Sequence, residues 1–239
     1  MDKRLEERTY LYPSGQLKKL EFYLDGEREG KCKEWFENGR FCSHEFYRAG
    51  KFEGERKEWY ENGQPRVQEF YRNGKHEGER RMWNRETGQL INLEFYRNGK
   101  LEGERKTWYE NGAARSYEFY RDGNKEGEQK FWYTNGQIHG RIFYRKEKCE
   151  GRLWHSNGLL SLQSGNWNLA LDGEYRQLDE YGRLQHWEFW KKGDIVDRNF
   201  NSSKKNVFIR SVRCSQKRAI RPINGMIISD LEKIIARLI

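Results

Sequence analysis

The chain has 239 residues, with 46 Lys and Arg against 37 Asp and Glu for a formal net charge of +9. With 35% hydrophobic residues and a mean hydropathy of −1.18, it is too polar for two ordinary cores, and composition alone would suggest disorder. Nine Trp, 14 Tyr and 13 Phe in fixed phase, with only three Pro, argue for order instead. A single-layer sheet, which needs ring stacking more than a thick interior, reconciles the two facts.

The N-terminal text MDKRLEERTY lacks the apolar core of a signal peptide, and no run approaches a membrane span. Residues 1–7 read as an extension, and the expected location is intracellular, of the cytoplasmic type. From residue 8 a beat sets in. Glycines fall at 15, 26, 39, 50, 63, 74, 88, 99, 112, 123 and 136, in alternating steps of 11 and 13 with a single 14. Many follow Asn or Asp, and Asn-Gly between aromatic-rich runs predicts a hairpin with a type I′ turn, positive φ at both central residues. Two strand texts alternate between the turns. One carries a Phe-Tyr pair, as at Phe70-Tyr71 and Phe95-Tyr96; the other carries a Trp, as at Trp59 and Trp83.

Two strands make a unit of about 24 residues, and eight units span residues 8–197. The fold class is therefore all-β: an elongated single-layer antiparallel meander of about sixteen strands, roughly 70–75 Å long at the usual strand spacing. Adjacent aromatics in a strand point to opposite faces, so Trp59 opposes Tyr60 and Phe70 opposes Tyr71. A further glycine inside each Trp strand (Gly30, Gly54, Gly78, Gly103, Gly127, Gly151, Gly173) reads as a floor for a neighbouring ring. The turn glycine is lost near residues 145–148 and 168–170, making the seventh unit the least regular. At the N-terminal edge, residues 8–13 have no cap besides Pro13, which leaves that edge open to pairing.

The rhythm stops after Phe200. Residues 198–239 hold ten basic and two acidic side chains, a net of +8, which leaves 36 basic and 35 acidic groups before them. The repeat sheet is nearly neutral and has no general field for a phosphate backbone; only the tail is basic. Its ending SDLEKIIARLI carries a capping-box pattern at Ser229 and Glu232, with Leu231, Ile234, Ile235 and Leu238 on one face. This predicts a short C-terminal helix that caps the sheet or, alternatively, anchors to an acidic surface.

The recurring text EFYRNGKxEGExKxWYENG closely resembles diverged MORN repeats, in particular those of MORN-repeat proteins from giant viruses of the marseillevirus type. Bacterial proteins of the YwqK antitoxin type carry similar repeats. The resemblance covers residues 8–197 and is clearest over residues 40–141. It implies an elongated sheet acting as a scaffold or binding platform, dimers as a common state, and no catalytic residues.

Cys32, Cys42, Cys149 and Cys214 show no metal-ligand spacing and read as reduced structural thiols. His44, His76, His139, His155 and His186 occupy different phases of the repeat, so no metal site is expected and they read as solvated. The Glu pairs around each strand glycine (Glu53/Glu55, Glu77/Glu79, Glu102/Glu104) recur in every unit, whereas an acid–base site needs one pair in a singular environment; they read as ion-pair ladders. No cofactor, small-molecule substrate or catalysis is expected. The candidate partner-binding stripe is Trp59, Trp83, Trp108 and Trp132 with Phe70, Phe95 and Phe119, beside the simpler reading that these rings only hold the sheet together. The candidate anionic-surface site is Lys204, Lys205, Arg210, Arg213, Lys217, Arg218 and Arg221, the one route to lipid or nucleic acid. The functional expectation is a non-enzymatic protein-binding scaffold, as a homodimer or within a larger assembly such as a virion. An adaptor to anionic surfaces and an antitoxin-like neutraliser are the alternatives.

Overall fold

The structure is a computed structural model describing residues 4–145, 148–167, 173–191, 194–202 and 205–206. Among these residues there is no helix, and strands that are near neighbours in sequence pair antiparallel into one open sheet. Eight strands of eight residues carry the Phe-Tyr texts: Leu17–Leu24, Phe41–Arg48, Pro65–Arg72, Leu90–Arg97, Ala114–Arg121, Ile138–Arg145, Leu160–Trp167 and Leu184–Lys191. Between them run Gly30–Trp35, Gly54–Trp59, Gly78–Trp83, Gly103–Trp108, Gly127–Trp132, Lys148–Trp154 and Gly173–Leu178. The all-β meander of eight units is thus present. Glu6–Leu11 forms the first edge, begins two residues earlier than the sequence reading, and is exposed throughout. The last strand, Asp194–Ser202, crosses the expected boundary at residue 198 and turns back into Lys205–Asn206. The expected C-terminal helix, with Lys204, Arg210, Arg213, Lys217, Arg218 and Arg221, lies outside the described residues.

The turns are of two kinds, not one. At Asn73-Gly74 both central residues have positive φ (50° and 76°), as the type I′ reading requires, and Asp25, Ala49, Asn98 and Asp122 adopt the same conformation before their glycines. At every second turn only the glycine does. In Tyr60–Gln64 the Gly63 amide donates to the Tyr60 carbonyl and the Tyr60 amide to the Gln64 carbonyl, each at 2.8 Å. This is the pattern of a type I turn closed by a glycine bulge. Here Asn62 serves through its side chain: Oδ1 accepts from the Gln64 amide at 3.0 Å, and Nδ2 reaches the Arg85 carbonyl of the next turn at 2.9 Å.

Four of the strand glycines, Gly30, Gly54, Gly78 and Gly127, have no ring lying against them. A Cβ placed on Gly30, Gly54, Gly78 or Gly127 would meet nothing within 4 Å, and the φ values there are +67° to +84°. These glycines make a bulge that splits a two-residue lead-in, such as Lys51–Phe52, from the strand that follows. Conformation, not space, requires them. Gly151 differs. Its φ is not positive, a Cβ would sit 3.0 Å from the Arg141 carbonyl oxygen, and Lys148–Trp154 runs unbroken. The seventh unit thus departs from the others at Gly151, while the lost turns expected near residues 145–148 and 168–170 fall largely outside the described residues.

A second register shift precedes each Trp: Glu58 faces Val67 but Trp59 faces Pro65, leaving Arg66 as the extra residue. Alternation along the strands then gives the sheet two unlike sides. One carries Tyr71, Glu69 and Val67 with Arg56 and Glu58. The other carries Phe70 and Gln68 with Glu55, Lys57 and Trp59.

Candidate functional site

On the tyrosine side the rings form one continuous column. Tyr47, Phe52, Tyr71, His76 and Tyr96 follow one another with centroid spacings of 4.6, 4.9, 4.4 and 4.9 Å. The residues between the tyrosines are the second lead-in positions, Phe52 and His76, matched elsewhere by Arg28, Leu101 and Lys125. The sequence reading missed this column because its filler changes identity from unit to unit. His76 is consequently no solvated histidine: it is stacked between two tyrosines, with Nε2 3.0 Å from Glu69 Oε2.

Beside the rings lies a line of charges. Arg56 bridges Glu45 (3.0 Å) and Glu69 (2.5 Å), Arg80 bridges Glu69 and Glu94 (both 2.9 Å), and Arg105 bridges Glu94 (2.9 Å) and Glu118 (2.8 Å). In the first five units the tyrosine two residues on donates its hydroxyl to the same glutamate, as in Tyr71 to Glu69 at 3.0 Å and Tyr120 to Glu118 at 2.8 Å. Glu69, Glu94 and Glu118 are buried. Burial opposes their ionisation, but the guanidinium, lysine, histidine, Asn and Tyr donors around them outweigh it and hold all three carboxyls below the ordinary value. Burial and the adjoining carboxylate push the Tyr71 and Tyr96 hydroxyls up to about 12. The line runs out at Gln129, which takes the arginine position and hydrogen-bonds the backbone of Phe119 and Glu126. Beyond it Phe131 and Ile142 form an apolar cluster with Tyr144 and Cys149. The charged members of this network are paired within it, and such pairing specifies register.

The repeated Glu pairs divide their work. The first of each pair caps the following turn: Glu53 Oε2 accepts the Asn73 amide, Glu77 the Asn98 amide and Glu102 the Asp122 amide, each at 2.8 Å. The second pairs on the opposite side of the sheet, Glu55 with Lys57 at 2.9 Å and Glu104 with Lys106 at 2.7 Å. Both members take part in the ion pairs read from the sequence, since Glu53 also lies 4.0 Å from Arg48 and Glu102 3.7 Å from Arg97.

The candidate aromatic stripe lies on this opposite side, but as two columns. Trp59, Trp83, Trp108 and Trp132 sit at the strand ends next to the bulged turns; Phe70, Phe95 and Phe119 sit toward the type I′ turns, with the Glu-Lys pairs between. Trp35, Phe41 and Trp59 touch at 5.5 and 5.9 Å. Phe70 is 37% exposed and Phe143 44%, against 8% for Tyr120. Of the paired Phe and Tyr, the exposed Phe70, Phe143 and Phe189 lie on this side and the buried Tyr47 and Tyr120 on the other, with the rest half-buried.

Cys32, Cys42 and Cys149 are free, and burial pushes the Cys32 thiol up to about 12. Among the described residues no three of His, Cys, Asp or Glu gather as a metal site, and no helix is long and apolar enough to cross a membrane.

Residues 52–73, 101–122 and 125–146 match the family described as the MORN repeat variant. The first two segments each run from a lead-in residue through the glycine-led strand, the bulged turn and the Phe-Tyr strand, and the third covers the same elements. Repeats of this type generally serve as protein- or membrane-binding scaffold motifs and are in general non-catalytic. No curated protein matches the chain.

Proposed function

We propose that the chain is a protein-binding scaffold whose contact surface is the Trp and Phe side of the sheet. The observation that carries this reading is the division between faces. One side satisfies its rings and charges internally, while the other leaves phenylalanines over a third exposed at Phe70, Phe143 and Phe189. Exposed aromatic rows of this kind favour association. Trp59, Trp83, Trp108 and Trp132 with Phe70, Phe95 and Phe119 are the residues assigned to contact. Replacing Phe70, Phe95 and Phe119 by Ser should leave the circular dichroism and melting temperature within a few degrees of the parent while abolishing partner recovery from the native source. A folded variant that recovers the same partners refutes the reading. A homodimer, or a place in a larger assembly such as a virion, is the finer form of this proposal and rests on the resemblance of the repeats, as does an antitoxin-like neutraliser.

The +8 charge of residues 198–239 favours a second reading, an adaptor to anionic lipid or nucleic acid. Changing Arg210, Arg213, Lys217, Arg218 and Arg221 to Gln should then abolish vesicle or DNA binding that the parent loses steeply with salt. Equal binding by the two chains refutes it.

A further inference from the structure

Most of the bulged turns begin with an aromatic residue whose ring lies across to the next unit. Tyr12, Tyr60, Tyr109 and Tyr133 donate their hydroxyls to the carbonyls of Trp35, Trp83, Trp132 and Trp154, at 2.8, 2.9, 2.7 and 2.8 Å. His155 does the same through its ring, Nε2 lying 3.1 Å from the Leu178 carbonyl. The extra residue of the neighbouring bulge covers several of these rings: Lys18 lies over Tyr12, Arg115 over Tyr109, and His139 stacks on Tyr133 at 4.2 Å.

Two inner units depart from this pattern. Phe36, after Trp35, keeps the ring without the hydroxyl. After Trp83 the ring itself is gone: the residue is Asn84, and its Oδ1 is turned to its own loop, accepting from the Glu86 and Thr87 amides at 2.8 and 2.9 Å. It has no ring to lay across to the next strand. An open notch of about 740 Å³ results, bordered by Asn84, Met82, Ile91, Trp108 and Tyr109, with Phe131 further along. Ile91 is the bulge residue here, so an apolar side chain stands where Lys18, Arg115 and His139 cover rings. Asn92 also lines the notch, and its Oδ1 is buried without a donor among the described residues.

We propose that this notch is a binding site for a phenolic ring, the tyrosine side chain of a partner polypeptide. The four internal copies supply the template. In each, a phenol fills this space and donates to the carbonyl of the next aromatic strand end, so an incoming tyrosine would lie against Ile91 and donate to the Trp108 carbonyl. The site is on the tyrosine side of the sheet, opposite the Trp and Phe surface, and does not depend on that surface binding anything.

The test uses the full-length chain and p-cresol, the tyrosine side chain as a free molecule, with toluene as its hydroxyl-free counterpart. Saturable shifts should appear in the amide resonances around Ile91, Trp108 and Tyr109. The hydroxyl should tighten binding over toluene by about two- to tenfold, the net worth of one hydrogen bond. N-acetyl-tyrosine amide should bind and N-acetyl-phenylalanine amide should bind more weakly by a similar factor. Asn84→Tyr, which supplies the missing ring in place, should abolish p-cresol binding; Ile91→Trp, which fills the notch from the other side, serves if Asn84→Tyr fails to fold. Shifts elsewhere, no saturation, or p-cresol binding retained in a folded Asn84→Tyr or Ile91→Trp chain would overturn the assignment. A phenylalanine blot of the face, as in the Phe70, Phe95 and Phe119 variant, should leave p-cresol binding intact, so the two surfaces fail or stand separately.

Discussion

Removing the charge of Glu94 is the sharpest perturbation of the line of ion pairs. Glu94 is 5% exposed and accepts from Arg80 and Arg105 at 2.9 Å, from Asn92 Nδ2 at 2.9 Å and from the Tyr96 hydroxyl at 2.9 Å. Glu94→Gln keeps the shape, turns one acceptor into a donor, and leaves two guanidiniums facing a neutral amide. Breaking a buried pair from one side costs about 3–5 kcal/mol. Arg80 and Arg105 retain 24% and 19% of their side-chain exposure, so water takes over part of their solvation, and we expect a loss of about 2 kcal/mol. Glu128→Gln is the internal control. The Glu128–Lys130 pair has the same chemistry at 2.9 Å, but its glutamate is 40% exposed, and such pairs contribute about 0–1 kcal/mol. Urea unfolding followed by tryptophan fluorescence, with unchanged slope, measures both. Because repeat arrays can open in sections, amide exchange along Leu90–Arg97 should report the same difference locally. If the two substitutions agree within about 0.5 kcal/mol, the buried line contributes no more than a surface pair and the reasoning fails.

The remaining expectations concern pH, turns and backbone. The folded carboxyls of Glu69, Glu94 and Glu118 lie below the unfolded value of 4.5, so their contribution is complete above that pH and is lost as pH falls through the folded values. Acid titration of the melting temperature should fall steeply below pH 4.5, on top of a smaller decline below about 6.5 from His44 and His139, whose burial holds them under the ordinary value; the steep part should be shallower in Glu94→Gln, and an equal slope in the two chains contradicts this. Glu77→Ala should cost about 1 kcal/mol and speed exchange at the Asn98 amide that Glu77 now holds at 2.8 Å, with no change at Asn73 as the comparison. Gly78→Ala should cost about 1–2 kcal/mol through its φ of +84° although a Cβ would touch nothing. Gly78→Asn should cost less, since Asn tolerates that conformation; an equal loss for both would point to crowding instead.

The repeat, the strand count and the opposition of Phe70 to Tyr71 were legible in the sequence, because glycine spacing and strand alternation are local properties. What escaped were features that depend on neighbours. Phe52 and His76 belong to one ring column, yet Arg28, Leu101 and Lys125 hold the same position, so no residue type marks it. Glu69, Arg80 and Glu94 are charged residues of a kind expected at the surface; only the register shows that each arginine sits between two glutamates and loses its water. Asn73 and Asn62 both precede a glycine, but one bends the backbone into positive φ and the other spends its side chain on the turn. The candidate stripe had its residues on one side of the sheet, and its splitting into two columns followed from the bulge at Arg66 and its counterparts, which alternation alone does not reveal. At Asn84 the one-residue longer loop was visible, whereas the empty ring position across from Ile91 needed the neighbouring units for comparison.

Hydroxyl-radical footprinting of the free chain, resolved to single residues by peptide mass spectrometry, tests the division between faces most directly. Phe70 and Phe143 should be modified faster than Tyr47, Tyr71 and Tyr120, although tyrosine is the more reactive ring toward the radical. Faster modification of Tyr71 and Tyr120 than of Phe70 would contradict it, and with it the assignment of the Trp and Phe side as the surface that meets a partner.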